Sequence, residues 1–289
     1  MKILLTSING YLSTKLKDWL NSLTDFQVTQ ISLRGKEWEQ KSFEGFDVVV
    51  HTAGLVHQKS GKFSSEEYFT INSQLTQKLA LKAKREGVSH FVFISTLAVY
   101  GNEMNFNTQI KQHTLEAPGS DYGRSKLVAE KLVFELMDEQ FIVSSIRIPM
   151  IYGPKCPGNY SLLRRLVRFT LIFPEINNVR SMIYIDNLTE FVRLVIENRT
   201  EGVLVPQDRN YMNISILVKE IAKLNKSPIY MSKLLGKVLV EAKAIHRNSI
   251  LNKIFGSLVY DIEESGYFDW KYIKCDFKSA LKNTEENWK

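Results

Sequence analysis

The sequence predicts an α/β protein built on a doubly wound parallel sheet, followed by a smaller C-terminal lobe. Three observations support this prediction. Short aliphatic runs alternate with amphipathic stretches of helical length through the first half of the chain. The first run leads into a glycine-containing turn that opens a helix. The second half changes character, because prolines interrupt it and its helical stretches are shorter.

The strands and helices of the first half follow one another in regular alternation. Phe46–Val50 is a mostly apolar run, which is typical of a buried parallel strand, and His90–Ser95 is another such strand. The strands are Lys2–Thr6, Phe26–Leu33, Phe46–Val50, His90–Ser95 and Ile142–Ile148, and the helices are Tyr11–Leu23, a stretch from Ser64 to about Arg85, and Ser120–Asp138.

A boundary between the main sheet and the lobe is predicted after residue 148. Residues 1–148 are expected to form the main domain, and residues 149–289 the lobe. A strand near Gly202–Val205 is expected to return to the main sheet, so that the lobe is not one continuous segment.

Composition indicates a soluble globular protein in a reducing compartment. Of the 289 residues, 44% are hydrophobic and 24% are charged, and two cysteines are too few for a disulfide framework. The N-terminal aliphatic run is too short for a signal peptide, and no run of about 18 apolar residues occurs. We therefore expect a cytoplasmic protein.

The net charge of +7 arises from 38 basic residues interleaved with 31 acidic ones. The densest basic cluster contains Arg164, Arg165 and Arg168. A solvated face is the simplest interpretation, with an anionic small-molecule ligand or weak peripheral attraction to anionic lipid as alternatives. Nucleic acid is not an expected partner.

The segment "YGRSK", Tyr122 to Lys126, is the strongest chemical signal. Residues four apart lie on one face of a helix, where a lysine ammonium can stabilise a phenolate and lower the tyrosine pKa. Ser95 and Thr96 end a buried strand, at the sheet edge where ligands bind in open α/β proteins. A tyrosine, a lysine and a hydroxyl at one edge indicate a general acid acting on a substrate oxygen.

The turn "TSINGYLS" at residues 6–13 indicates a dinucleotide site. Such a turn normally reads T-G-x-x-G-x-x-G, and here Gly10 remains while Ser7 and Ser13 replace the outer glycines. Gly10 keeps the place where a side chain would block a pyrophosphate, and the helix N-terminus still offers N–H groups. We expect a working site, weakened if the backbone at Ser7 needs a positive φ.

Two further stretches bear on the cofactor. "HTAG" at 51–54 ends the third strand with small residues that let a cofactor approach closely. The acid expected about 20 residues after the glycine turn is absent, and Ser32 and Arg34 end the second strand instead. A guanidinium at this place can bind a 2′-phosphate, which favours NADP(H) over NAD(H); a solvated turn arginine is the alternative.

These motifs resemble the extended short-chain dehydrogenases/reductases that act on nucleotide sugars, the NAD-dependent epimerase/dehydratase family. The resemblance covers nearly the whole chain and implies a Rossmann-like fold. Besides the segments above, it takes in "INSQLT" at 71–76, "STLAVYG" at 95–101, "RIPMIYGP" at 147–154 and "RSMIYIDNL" at 180–188. The second half is most similar to bacterial reductases of capsule and O-antigen synthesis, which act on UDP-4-keto-6-deoxy-N-acetylhexosamines.

The resemblance implies roles for individual residues. Tyr122 would donate a proton, Lys126 would hold the nicotinamide ribose, Thr96 would be the catalytic hydroxyl, and Asn72 would lie near them. No metal is implied. Cofactor binding is implied for Thr6, Gly10, Tyr11, Leu12, Thr52, Ala53, Gly54, Tyr122, Lys126 and Pro149, and substrate binding for Thr96, Met150, Asn159 and Arg180, the last gripping the nucleotide diphosphate. Cofactor binding by Arg34 is predicted from its place after the second strand.

The expected protein is therefore an NAD(P)H-dependent reductase of a UDP-sugar C4 ketone, with a dinucleotide-binding domain and a mainly substrate-binding lobe. One alternative is a UDP-sugar C4 epimerase with tightly bound NAD, which uses the same tyrosine and lysine. A nucleotide-binding protein without catalysis is the other alternative. The resemblance leaves a homodimer open.

Overall fold

The structure, a computed structural model, describes residues 1–23, 25–55, 63–101, 109–242 and 249–288. In chain order the strands are β1 (Lys2–Leu5), β2 (Gln27–Gln30), β3 (Val48–His51), β4 (His90–Thr96), β5 (Gln109–Ile110), β6 (Ile142–Ile148), β7 (Met150–Tyr152), β8 (Ile172–Pro174), β9 (Met182–Tyr184), β10 (Gly202–Leu204), β11 (Tyr230–Ser232) and β12 (Val259–Tyr260). The α-helices are α1 (Tyr11–Asn21), α2 (Ser65–Phe69), α3 (Leu75–Arg85), α4 (Asp121–Phe134), α5 (Asn159–Phe169), α6 (Ile185–Glu197), α7 (Ile214–Leu224), α8 (Lys233–Glu241), α9 (Ser249–Phe255) and α10 (Phe277–Glu286). A π-helical turn, Thr70–Gln74, joins α2 to α3.

Six parallel strands form the central sheet, in the order β2-β1-β3-β4-β6-β10. This arrangement confirms the predicted α/β fold class. The chain passes outward from β1 to β2 and then in the opposite direction from β3 to β10. The carboxyl ends of β1 and β3 therefore flank the topological switch point, where ligands bind in such sheets.

The edge strand β2 is shorter than the sequence predicts. Its residues pair with β1 from Lys2 opposite Gln27 to Leu5 opposite Gln30. Because β1 ends at Leu5, the last bond of this ladder runs from the Ile31 N–H to the Leu5 carbonyl at 3.0 Å, and β2 ends at Gln30.

Helices cover both faces of the sheet. On one face, side chains of α3 and α4 pack against alternate residues of the strands in a buried core that includes Leu4, Leu79, Ala83, Phe91, Phe93, Ala129, Val133 and Val143. On the other face, the indole Nε1 of Trp19 in α1 donates to Glu190 Oε2 in α6 at 3.0 Å. The burial on both faces explains why the central strands β1, β3 and β4 are nearly continuous apolar runs.

The chain divides into two compact units. Unit 1 contains the six-stranded sheet and comprises residues 1–100, 116–148 and 188–206. Unit 2 comprises residues 101–115, 149–187 and 207–289.

Unit 2 contains three small parallel pairs of strands, β5–β12, β7–β9 and β8–β11. Its interior includes Asp208, which accepts hydrogen bonds from Tyr152 Oη and Asn187 Nδ2, each at 2.8 Å. Burial raises the pKa of this carboxyl to about 6, against these hydrogen bonds, which lower it. Among the helices of the described residues, none combines the length and hydropathy that a membrane span requires.

Candidate active site

The first turn of α4 places Tyr122 beside the end of β4. Ser120 caps this helix, since its Oγ accepts the Gly123 N–H at 3.1 Å. A Cβ at position 123 would lie 2.6 Å from the Ala98 carbonyl oxygen. Glycine at this position therefore lets the helix approach the turn that follows β4.

Tyr122 and Thr96 share a hydrogen bond between their hydroxyls. The Thr96 oxygen also accepts the Ala98 N–H at 3.2 Å, which fixes its orientation. The pKa of Tyr122 is raised above its ordinary value of 10.0, because the effect of burial exceeds that of the hydrogen bond, which lowers it. The predicted lowering of this pKa by Lys126 is wrong, and the surroundings of Lys126 explain why.

Lys126 is itself removed from water, with 5% of its surface exposed. Its Nζ lies 3.9 Å from the centre of the Phe93 ring, in a cation–π contact. Burial lowers the pKa of Lys126 to about 7, although Glu130 acts in the opposite direction. With this pKa, only part of the Lys126 population is charged at pH 7, so the side chain stabilises a phenolate only weakly. Within the described part of the chain no oxygen accepts a hydrogen bond from Nζ, which leaves its donors for a ligand.

A buried ionic cluster behind these residues was not expected from the sequence. Arg147 on β6 contacts Glu130 on α4, with Nη2 2.6 Å from Oε2 and Nε 3.1 Å from both carboxylate oxygens. Nη1 donates to Tyr100 at 2.6 Å and Nη2 to Glu116 at 2.7 Å. The Ser95 hydroxyl donates to Glu130. Ser95 and Thr96 are neighbours on β4, and their side chains therefore bond to different residues, Glu130 and Tyr122. An arginine in the apolar run of β6 is the sequence signal that could have revealed this cluster.

Asn72 connects three segments of unit 1. It lies in the π-helical turn, where its Oδ1 accepts the Leu55 N–H at 2.7 Å. Its Nδ2 donates to the Leu55 carbonyl at 3.0 Å and to Ser125 Oγ at 3.1 Å. A Cβ at Gly54 would lie 2.9 Å from Asn72 Oδ1, so the glycine makes room for this amide. The asparagine therefore holds the segment after β3 against α4.

His51 is a neutral, buried side chain that ties β1 to α3. The Thr76 hydroxyl donates to the Asn72 carbonyl at 2.7 Å, so it accepts from His51 Nε2 at 2.9 Å. The other ring nitrogen, Nδ1, then accepts from the Thr6 hydroxyl at 2.7 Å. Burial, together with the charge of Lys126, lowers the pKa of His51 to about 3. The hydroxyl proton of Thr6, a predicted cofactor-binding residue, is therefore donated to His51.

The serines of the turn after β1 pack around Gly10. A Cβ at Gly10 would lie 2.8 Å from Ser7 Oγ and 3.1 Å from Ser13 Oγ. Ser13 is buried and its hydroxyl donates to the Gly10 carbonyl at 2.8 Å. The backbone of Ser7 does not adopt a positive φ, so the strain considered for this replacement is absent.

The carboxyl edge of β1, β2 and β3 offers groups that fit a dinucleotide. Tyr11 and Leu12 open α1, whose N-terminus has no side-chain cap and faces the switch point. Thr52 follows β3 with Ala53, and its Oγ1 is buried with no hydrogen-bond partner among the described residues. Arg34 is exposed beyond β2, where its N–H donates to Ser32 Oγ at 3.1 Å.

Gln30 at the end of β2 was not singled out from the sequence. Its Nε2 donates to the Ser7 carbonyl at 2.8 Å and thereby supports the turn after β1. An amide at the last paired residue of a strand is the signal that could have indicated this role.

The remaining predicted residues belong to unit 2. Pro149 is buried, Met150 is half-buried in β7, and Asn159 is exposed at the start of α5. Arg180 donates from Nη2 to the Asn252 carbonyl at 2.7 Å, while its buried Nε has no partner among the described residues. Burial lowers the pKa of Arg180 to about 10, so the guanidinium is still charged at pH 7. An anion is the ligand that such a group would accept.

Comparisons with known proteins agree with this architecture. Residues 10–208 match the NAD dependent epimerase/dehydratase family. The chain is 32% identical to a UDP-glucose 4-epimerase of Vibrio cholerae, over 75% of this chain and 69% of that protein. It is 27% identical to an N-acetyl-alpha-D-glucosaminyl-diphospho-ditrans,octacis-undecaprenol 4-epimerase of Escherichia coli O157:H7, over 78% of this chain and 72% of that protein. The structure of RMD from Pseudomonas aeruginosa complexed with NADPH has the same fold, with a TM-score of 0.79, 17% identity and coverage of 100% of this chain and 99% of the other.

Proposed function

This chain belongs to the NAD dependent epimerase/dehydratase family, and we propose that it is a nucleotide-sugar 4-ketoreductase. In the proposed reaction, C4 of a UDP-4-keto-6-deoxy-N-acetylhexosamine gains a hydride and the C4 oxygen gains a proton, so that a ketone becomes an alcohol. A reduced nicotinamide supplies the hydride when it is bound. The product would enter bacterial surface polysaccharide synthesis.

The observation that supports this proposal best is the hydrogen-bonded pair of Tyr122 and Thr96. Burial raises the pKa of Tyr122, so the phenol is neutral at pH 7. A neutral phenol is the form that donates a proton to a developing alkoxide. Thr96 orients the phenol and offers a second hydroxyl to the same substrate oxygen.

Lys126 is proposed to bind the ribose of the cofactor with the donors that no described residue uses. A hydroxyl of a ribose would replace the Phe93 ring face as the partner of Nζ. Glu130 lies within the same buried cluster as Arg147 and keeps part of the lysine population charged.

The choice of cofactor is proposed to rest on Arg34. Its exposed guanidinium follows the second strand, where NAD-binding proteins place an acid, and it would pair with a 2′-phosphate. The proposed cofactor is therefore NADP(H), with NAD(H) as the alternative. The pyrophosphate would be held at Gly10, Tyr11 and Leu12, and the rest of the cofactor by Thr52, Ala53, Gly54 and Pro149, whereas Thr6 supports the turn through His51.

Substrate binding is proposed for Arg180, Met150 and Asn159 of unit 2. The charged, desolvated guanidinium of Arg180 suits the diphosphate of a nucleotide sugar. We propose that Met150 contacts the sugar and that the exposed Asn159 contributes its amide.

A second candidate function is C4 epimerisation of a diphosphate-linked sugar with NAD retained through the cycle. The names of the two relatives support it, since both are 4-epimerases and one acts on a sugar linked by diphosphate to a polyprenol. The same tyrosine and lysine would serve that reaction, and Arg180 would recognise either diphosphate. The exposed Arg34 favours the reductase, because an epimerase of this kind retains NAD.

The test mixes the purified chain with UDP-4-keto-6-deoxy-N-acetylglucosamine and NADPH or NADH, and follows loss of absorbance of the reduced nicotinamide. We expect stoichiometric oxidation of NADPH, and a loss of about a hundredfold or more in Tyr122→Phe. Tyr230→Phe, which removes an exposed phenol of unit 2, is the matched control and should retain full activity.

No oxidation of either cofactor would overturn the reductase proposal. Extraction of the purified chain then separates the other candidates. Tightly bound NAD with turnover of a UDP-hexose would indicate the epimerase, and binding of a nucleotide without any turnover would indicate a protein without catalysis.

A further inference from the structure

One face of unit 2 exposes several large apolar side chains. Phe169, which ends α5, is 75% exposed, and Leu171 in the next loop is 68% exposed. On β8 and β11, Ile172 pairs with Tyr230, and both are exposed while Phe173 of the same strand is buried. The solvent face of this strand pair thus has the apolar side chains of Ile172 and Tyr230, whereas polar side chains are usual on such a face.

The helix that follows β11 extends this apolar face. Gly236 of α8 packs against the backbone of Glu175, since a Cβ there would lie 2.1 Å from the Glu175 carbonyl oxygen. Residues two positions away on a helix lie about 160° around its axis. Leu234 and Val238 therefore point directly away from the protein, and they are 74% and 51% exposed. We call residues 165–172 and 230–238 together the β8–α8 surface.

Basic side chains surround these apolar residues. Arg165 and Arg168 on α5 and Lys233 and Lys237 on α8 are all exposed. Arg165 also lines a depression of ≈ 620 Å³ with Leu166 and Phe169. No acidic residue occurs within the two segments of the surface, and the first carboxylate beyond them on α8 is Glu241, which lies 3.7 Å from Lys237.

We propose that the β8–α8 surface binds the surface of an anionic lipid bilayer. Exposed aliphatic and aromatic side chains enter the boundary between headgroups and acyl chains, while flanking arginines and lysines contact lipid phosphates. A second copy of this chain fits the surface less well. A two-fold interface brings the same patch of both copies together and would place the basic side chains of one copy against those of the other.

Co-sedimentation of the full chain with vesicles tests this proposal independently of any turnover. We expect binding to vesicles rich in phosphatidylglycerol, and binding weaker by about tenfold or more to phosphatidylcholine vesicles or at high salt. The double variant Leu234→Ser/Val238→Ser removes apolar contacts, and Arg165→Gln/Lys233→Gln removes charge. Each should weaken binding to the anionic vesicles by about tenfold.

Leu115→Ser is the matched control, because Leu115 is 84% exposed in unit 2 and lies outside the two segments. It should bind vesicles like the unaltered chain, and circular dichroism should show all variants folded. Failure of the unaltered chain to bind anionic vesicles, or unchanged binding by both double variants, would overturn the proposal. So would a dimer in sedimentation velocity that the double variants dissociate, since the surface would then join two copies.

Discussion

Tyr122 and Lys126 lie one turn apart on α4, and burial favours the neutral form of both. The pKa of the tyrosine rises, and that of the lysine falls to about 7. A pattern of four residues reveals which side chains share a helix face, but it does not reveal how much water surrounds them. For this reason the sequence identifies the pair and gives the wrong direction for the tyrosine pKa.

The free energy of unfolding should depend on the protonation of Lys126. The unfolded lysine, with a pKa of 10.5, binds a proton that the folded one, with a pKa of about 7, does not. Between these values stability therefore rises with pH, and the destabilising effect of Lys126 is largest at and below pH 7.

We expect Lys126→Met to raise the melting temperature at pH 7 by about 4 °C or more. The difference in melting temperature from the unaltered chain should become smaller as the pH rises to 10.5. Thermal unfolding followed by circular dichroism checks this. Lys131→Met, an exposed lysine of the same helix, is the matched control and should show no such pH trend. An effect of Lys126→Met that does not change with pH would contradict the low pKa.

Removal of the Arg34 guanidinium should change the preference between cofactors. We expect Arg34→Ala to lower kcat/KM with NADPH by about tenfold or more and to leave NADH nearly unaffected, because only the first has a 2′-phosphate. Lys36→Ala, two residues further on and also exposed, is the control. Equal losses with both cofactors would show that Arg34 does not distinguish them.

At the scale of elements, the approach of α4 to the turn after β4 depends on one missing methyl group. A Cβ at Gly123 would meet the Ala98 carbonyl oxygen, a backbone atom that cannot rotate away. The Tyr122 and Thr96 hydroxyls belong to the two segments that would separate.

Gly123→Ala should therefore lower turnover by about tenfold or more while KM changes little, since a shift of about 1 Å is enough to disturb catalytic geometry. Steady-state kinetics check this. Gly119→Ala is the matched control, because no atom lies within 4 Å of a Cβ there and the position lies close to the same helix. A Gly123→Ala enzyme with unchanged kcat would show that the contact is not needed.

Much of the main sheet could be predicted from its sequence, and much of unit 2 could not. In strands such as β4 (His90–Thr96), a run of apolar residues stands between polar ones, so pattern alone defines them. The short strand pairs of unit 2 depend on partners far along the chain, as with Gln109–Ile110 and Val259–Tyr260. Local periodicity contains no information about such partners.

The candidate site shows the same division between local and distant information. Tyr122, Lys126 and Thr96 follow from motifs, whereas the contact of Glu130 with Arg147 requires the packing of α4 on β6.

Across the whole molecule, two buried imidazoles make stability fall in mildly acidic solution. Burial lowers the pKa of both His51 and His90 to about 3, from 6.5. Between pH 6.5 and 3 the unfolded chain binds two protons that the folded chain does not, so stability falls as pH falls. Asp208 acts in the opposite direction between pH 6 and 3.8, because its folded pKa is raised, but one carboxyl does not offset two imidazoles.

We expect the free energy of unfolding to decrease from pH 6.5 downward, and to decrease about half as steeply in His90→Gln. Urea unfolding at several pH values measures both slopes. His113→Gln, which replaces an exposed histidine, should leave the slope unchanged. A stability that is constant between pH 6.5 and 4 would show that the imidazoles are not buried as described.

The π-helical turn at Thr70–Gln74 has a consequence for insertions and deletions in this chain. A π turn contains one residue more than the α-helical turn it replaces, so removing one residue here would yield an unbroken α-helix from α2 to α3. Both kinds of turn complete one revolution about the helix axis, so α2 and α3 would keep their alignment, and only the residues within the turn would be displaced. Asn72 lies within this turn, so the deletion would break its hydrogen bond with Leu55 or with Ser125. The extra residue thus fixes the position of Asn72. Homologous chains that keep the asparagine should also keep the length of this segment.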